Sequence, residues 1–203
     1  HFKFRVYFSV IINDGEGIVV EGSLLGCASV SNQIDFIVNP VPNVGMQSTD
    51  VDNIFCAGDE VVYTANGADT YQFYIDGIPE GIDSPNSEIT SENFAPGNYN
   101  LTVVGSSAGC SDDETIAVVV NELPVAGLSS SDVDNSICSG QNVVFTASGG
   151  STYLFYIEAT PQGVPSFSNE WMTSGLEEGN EISVLVITSQ GCKDSISTGP
   201  FTV

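Results

Sequence analysis

Ser48–Ile75 reads STDVDNIFCAGDEVVYTANGADTYQFYI, and 82 residues later Ser130–Ile157 reads SSDVDNSICSGQNVVFTASGGSTYLFYI. Of the 28 aligned positions, 17 are identical. The chain is therefore a tandem array, and one supersecondary unit is written at least twice. The cysteines carry the same period. Cys56 to Cys110 and Cys138 to Cys192 are both 54 residues, while Cys56 to Cys138 and Cys110 to Cys192 are both 82. Cys27 stands 83 residues before Cys110 and, like Cys110 and Cys192, follows a glycine, so it reads as the second cysteine of an earlier repeat. The odd count of five then predicts a chain that begins inside a repeat, with the partner of Cys27 outside this chain or Cys27 free.

Inside each repeat, helical periodicity is absent. Period-two alternation and β-branched or aromatic runs recur between clusters of Gly, Pro, Asn and Asp, which predicts an all-β fold of short strands packed as β-sandwiches. Strands are expected over 61–65, 71–76, 88–92, 99–104 and 115–120, and again over 143–147, 153–158, 170–173, 181–188 and 195–203. In the opening HFKFRVYFSVII the even positions from Phe2 to Ile12 are apolar, the pattern of a half-buried strand rather than of a signal peptide. Valine-rich runs ending in proline, Phe36–Pro42 and Val118–Pro124, read as short linkers, because proline cannot continue a central strand. They divide the chain into 1–42, the C-terminal part of an incomplete repeat, and two complete repeats at 43–125 and 126–203.

The 203 residues carry 26 Asp and Glu against three basic side chains, Lys3, Arg5 and Lys193, for a net charge of -23. Such a chain repels phosphate backbones and anionic lipid, which argues against nucleic-acid partners. No apolar run approaches the roughly 20 residues that span a bilayer, so no direct membrane insertion is expected. The only histidine is His1, which leaves no His-based triad or His-ligated zinc centre for the interior; no catalytic residues are expected.

Pairing within each repeat, Cys56 with Cys110 and Cys138 with Cys192, is the expected connectivity. Closing a loop of about 55 residues would contribute on the order of 4 kcal/mol. The alternative, Cys27 with Cys56 and Cys110 with Cys138, would staple neighbouring repeats and also respects the period. Recurrent cysteine pairs in an acidic chain point to an extracellular compartment, secreted or attached to a cell surface.

The run from Ser131 to Cys192, with Ser-Asp-Val-Asp-Asn, Ile-Cys-Ser-Gly, Val-Val-Phe-Thr-Ala-Ser-Gly-Gly, Phe-Tyr-Ile and Gln-Gly-Cys, resembles the Ig-like or PKD-like repeats of very large secreted surface proteins of Bacteroidetes. Those proteins resemble adhesins, are typically exported by the type IX system, and in some cases serve gliding motility. The resemblance implies Ig-like or PKD-like sandwiches and a non-catalytic, adhesive or structural role.

The sharpest polar motif is Asp-Val-Asp-Asn, at Asp50, Asp52 and Asn53 and again at Asp132, Asp134 and Asn135. Alternate aspartates followed by asparagine present oxygens suited to calcium, the one candidate cofactor; the same residues also close turns by bonding backbone amides. Asp112-Asp113-Glu114 reads as a solvated hairpin tip. Tyr71, Phe73, Tyr153 and Phe155 read as core rather than as a sugar-stacking platform, and Trp171, which has no aromatic counterpart at Ile89, also reads as core. Asn100-Leu101-Thr102 matches an N-glycosylation acceptor, and Asp194-Ser195-Ile196 is similar to a short O-glycosylation motif of Bacteroidetes, with Ser195 as acceptor.

Three roles fit these observations. The chain is a stalk or adhesin segment whose partners are neighbouring repeats of the same protein, with any glycan or protein target held by regions outside it. Alternatively it is a repeat of an extracellular fibre, joined to other copies by strand pairing or donation. A third role is an accessory module of a secreted polysaccharide-active enzyme.

Overall fold

The structure is a computed structural model that describes residues 15–203 apart from 20, 25, 26, 31, 36 and 93. The strand expected over Phe2–Ile12 lies outside the described residues, as does the Cys27 side chain. Every regular element among the described residues is a strand, so the fold is all-β. Backbone contacts divide it into two compact units, one drawn from 1–47, 64–87 and 102–115, the other from 48–63, 88–101 and 116–203.

The third repeat lies wholly in the second unit and shows how the sequence pattern becomes a sandwich. One sheet has the order Gly127–Ser130, Val143–Ser148, Glu170–Thr173; the other runs Thr160–Pro161, Thr152–Ile157, Ile182–Ile187, Lys193–Ser197. Alternation sends Val143, Phe145 and Ala147 inward from the first sheet, and Tyr153, Phe155, Ile182, Val184 and Val186 inward from the second, where they form one buried cluster with Ile137, Leu176 and Phe201. Trp171 packs against that cluster and joins the two layers, stacked on Phe145 at 5.7 Å and on Phe155 at 5.8 Å between ring centroids. Succession from the first sheet to the second, back, and again to the second is the strand order of an Ig-like sandwich.

The middle repeat is built the same way. Its smaller sheet has the order Glu88–Thr90, Val62–Asn66, Gly45–Ser48, and its larger one Ile54–Cys56, Cys110–Asn121, Gly97–Ser107, Thr70–Ile75, Ile78–Ser84. Tyr71 and Phe73 are buried, as are Tyr153 and Phe155, in keeping with core positions.

Two short first strands, Gly45–Ser48 and Gly127–Ser130, have no counterpart in the expected list. Their sequences, GMQS and GLSS, carry no apolar alternation; main-chain pairing makes them strands, Gly127–Ser130 lying antiparallel to Phe145–Ser148.

The strand lengths overturn the expected cysteine pairs. Ile54–Cys56 runs parallel to Val119–Asn121, with Cys56 opposite Asn121, the last residue of the twelve-residue strand that Cys110 begins. At about 3.3 Å per residue those two ends are about 36 Å apart, whereas a disulfide needs Cα atoms within about 7 Å. In the third repeat, likewise, Ile137 donates its N–H to the Thr202 carbonyl, while Cys192 precedes the other end of that stretch, at the start of Lys193–Ser197. The bond that forms is Cys56–Cys192, with a Cα–Cα distance of 5.6 Å, and Cys110 and Cys138 are free. Neither pairing within a repeat nor the Cys27–Cys56 scheme is realised.

Position 145 and its counterpart 63 make the core testable. Phe145 and Tyr63 are both fully buried, but the Tyr63 hydroxyl has no hydrogen-bond partner of normal geometry. Burial raises its pKa from 10.0; Ser48 pulls it partly back and Asp50 adds to the rise. Tyr63→Phe should therefore leave stability unchanged or raise it by up to about 1–3 kcal/mol in urea unfolding. Phe145→Ala should lower the stability of the third repeat by about 3–5 kcal/mol, read from Trp171 fluorescence, since the chain has one tryptophan.

Candidate functional site

The residues that recur with the best-defined geometry gather where one repeat passes into the next. The chain leaves the strand Cys110–Asn121, crosses Glu122, Leu123, Pro124 and Val125, and enters the first strand of the third repeat at Gly127. Pro124 lacks an amide hydrogen and holds its own φ, so this crossing is short and stiff.

Three contacts fasten it. Asp194, just after the hairpin that carries Cys192, accepts the Ala126 N–H on Oδ2 at 3.0 Å. Gly149 adopts φ +101°, and a Cβ built on it would lie 2.0 Å from the Val125 carbonyl oxygen, so the residue must be glycine on two counts. The third contact is the disulfide from Cys56, the last residue of Ile54–Cys56, to the fully buried Cys192. An open cleft of about 510 Å³ lies along the crossing, lined by Asn121 through Val125 and by Gly149, Thr188 and Gln190.

Two of these fastenings, the aspartate and the glycine, appear one period earlier. Asp112 Oδ2 accepts the Val44 N–H at 3.3 Å, and Gly67, at φ +91°, places a virtual Cβ 2.0 Å from the Asn43 carbonyl. Asp112 is thus more than a solvated tip: it ties its hairpin to the residue that follows the linker. Sequence reading missed Gly67 and Gly149 as junction residues, because a glycine in a turn cluster signals a turn and not which backbone it faces.

The Asp-Val-Asp-Asn motif adopts one conformation in both places. Asp50 Oδ1 and Asp52 Oδ1 both accept the Ile54 N–H at 3.1 Å. Asp132 Oδ1 and Asp134 Oδ1 accept the Ser136 N–H at 3.1 and 3.2 Å. Ser48 and Ser130 hydroxyls take the N–H of Asp50 and Asp132, and Asn53 and Asn135 sit at φ 57° and 56°, the left-handed region that asparagine tolerates. Each valine at the loop tip is 99% exposed. The carboxylates converge on an amide hydrogen, and no group of three or more His, Cys, Asp or Glu side chains arranged to hold a metal occurs among the described residues. The Asn135 side-chain amide donates a hydrogen bond to the Gly199 carbonyl at 3.4 Å.

Ser195 is exposed on the strand Lys193–Ser197, and its N–H donates to Asp194 Oδ1 at 2.8 Å. The aspartate of the glycosylation-like triplet is therefore engaged on both oxygens. Thr102, of the other triplet, shares a hydrogen bond with Thr115 at 2.8 Å, and Leu101 is fully buried.

By sequence the chain matches no family profile and no curated protein. Among solved structures it is similar to the fibronectin(III)-like modules of Clostridium thermocellum CbhA, at 16% identity over 79% of this chain and 95% of that one, with a TM-score of 0.44. It is also similar to part of a 1.5-MDa bacterial ice-binding adhesin, at 15% identity over 82% and 66%, with a TM-score of 0.37. A third is the Bacteroides ovatus mixed-linkage glucan protein SGBP-B, at 18% identity over 81% and 48%, with a TM-score of 0.34. Likeness at these scores carries no functional content.

Two outcomes test the site. Asp132→Ala should cost about 1 kcal/mol in thermal or urea unfolding, and the loss should persist in chelator; a loss seen only with calcium present would return the motif to a cation site. Gly149→Ala should destabilise by at least about 1 kcal/mol, because it combines an unfavourable φ with a clash against Val125.

Proposed function

We propose that the chain is a non-catalytic stalk segment of a secreted or cell-surface protein, with Ig-like modules at 43–125 and 126–203 and part of a third at 1–42. The observation that carries this reading is the Cys56–Cys192 bond, which runs from the turn of one repeat to the hairpin of the next rather than closing a single module. A bond inside a module protects that module; a bond between modules resists bending and pulling at the joint. With a separation of 136 residues, loop-closure entropy alone corresponds to about 5 kcal/mol of stabilisation.

Other features support the same role. Asp194 and Gly149 hold the linker where the disulfide holds the modules, so the joint is stiffened by covalent bond, hydrogen bond and close packing together. The net charge of -23 suits an extended array, because like-charged modules repel one another and resist collapse or clumping. A disulfide-dependent joint suits an oxidising compartment outside the cell. The resemblance to large Bacteroidetes surface proteins points in the same direction; neighbouring repeats are then the partners, and any host or glycan target belongs to other parts of the protein.

Backbone 15N relaxation on the oxidised chain tests the reading. The repeats at 43–125 and 126–203 should tumble with one correlation time, and the Cys56→Ser variant should give two shorter ones with each repeat still folded. Independent tumbling in the oxidised chain, with the bond confirmed, would remove the stalk reading.

A further inference from the structure

The Cys56–Cys192 bond leaves one cysteine of each repeat without a partner, and those two occupy the same structural settings as the two that are joined. Cys56 begins a turn in which its N–H donates to Asp59 Oδ2 at 3.0 Å and its carbonyl accepts the Asp59 N–H at 3.0 Å, with Gly58 at φ +90°. Cys138 begins the counterpart: its N–H donates to Gln141 Oε1 at 3.2 Å, its carbonyl accepts the Gln141 N–H at 3.0 Å, and Gly140 has φ +80°. The second cysteines match as closely. Cys110 and Cys192 each follow a glycine of positive φ, Gly109 at 83° and Gly191 at 90°, and each stands two residues before the aspartate that ties the hairpin to the post-linker residue.

A separate observation shows where Cys110 is aimed. Asn39 is the counterpart of Asn121, the residue paired with Cys56, and the Asn121 carbonyl accepts the Ala57 N–H at 2.8 Å. The Cys110 sulfur lies 3.6 Å from the carbonyl oxygen of Asn39, and the Asn39 side chain donates to the Ala108 carbonyl at 2.7 Å. Cys110 is thus presented at the edge along which the first-cysteine turn of a preceding repeat would run, and Cys138 is exposed at the other end of the period.

We propose that Cys110 and Cys138 are the two open halves of this same bond, so that the first cysteine of every repeat is joined to the second cysteine of the repeat that follows it. Cys138 then takes the second cysteine of a repeat of this kind seated after 126–203, and Cys110 the first cysteine of one seated before 43–125. This inference rests on the stalk reading and gives it a rule of assembly: a continuous series of bonds, each crossing one joint. Each bond forms by exchange with a disulfide oxidant such as glutathione disulfide. One protein thiolate displaces a glutathione thiolate to give a mixed disulfide, and the second protein thiolate attacks the protein sulfur and displaces the other. Two protein thiols and one glutathione disulfide become one protein disulfide and two glutathione thiols.

The test extends the full chain by one repeat, placed after Val203 as a second copy of residues 121–203 that carries Cys138→Ser, so that a single Cys138 remains, and Ser189→Ala, so that its Cys192 peptide differs in mass from the original. After oxidation with glutathione disulfide, peptic mapping by mass spectrometry should find Cys56–Cys192 intact and Cys138 joined to the added copy of Cys192, with Cys138 alkylation falling at least tenfold relative to the parent chain. Cys138 that stays fully alkylated while Cys56–Cys192 is present would overturn the proposal and leave the stalk reading standing. Loss of Cys56–Cys192 itself would overturn both. In the parent chain, which does not depend on the extension folding, Cys110 and Cys138 should both remain alkylatable; a Cys110–Cys138 bond within one chain would overturn the proposal as well.

Discussion

The parallel pairing of Ile54–Cys56 with Val119–Asn121 governs how this molecule is held together. Three residues crossing to the last strand of the larger sheet place Cys56 at the end of the module from which the chain departs. The hairpin of the next module returns to that same joint, bearing Cys192. Had the segment paired with the beginning of the strand Cys110–Asn121, the disulfide would close a single sandwich. Which end of that twelve-residue strand the segment meets thus decides whether the covalent bond closes one repeat or ties it to the next.

The joint is built from complementary constraints. Proline limits the linker, an aspartate on the arriving hairpin binds the first amide beyond it, and a glycine lets a turn backbone approach the linker carbonyl. Asp194 meets Ala126 within the third repeat, as Asp112 meets Val44 where Cys110 is free, and the disulfide adds a covalent tie from that hairpin to Cys56. The Asp-Val-Asp-Asn loop serves the same end from the other side, since it turns the chain out of Gly127–Ser130 and into the segment that carries the next first-type cysteine.

Much of this was legible in the sequence. The period, the all-β class and most inner strands follow from residues such as Val143, Phe145 and Ala147, whose alternation survives into the buried face without change. The cysteine pairing was not legible, and the reason is geometric. A spacing of 54 within a repeat and of 82 between repeats is met equally by bonds inside modules and between them, because sequence distance does not tell which end of a long strand a residue occupies. Asp50 and Asp52 pose a similar ambiguity: alternate carboxylates look alike whether they meet a cation or an amide. In the folded chain both carboxylates meet the Ile54 amide, beside a left-handed asparagine. Glycines 67 and 149 were visible as turn residues, but what they face lies far enough away in sequence that only the folded chain reveals it.

The account stands or falls on one bond, and the direct measurement is disulfide mapping of the oxidised 203-residue chain by mass spectrometry without reduction. Peptides containing Cys56 and Cys192 should be recovered linked, as the 5.6 Å Cα separation permits. Recovery of Cys56 linked to Cys110, or of Cys138 linked to Cys192, would contradict it.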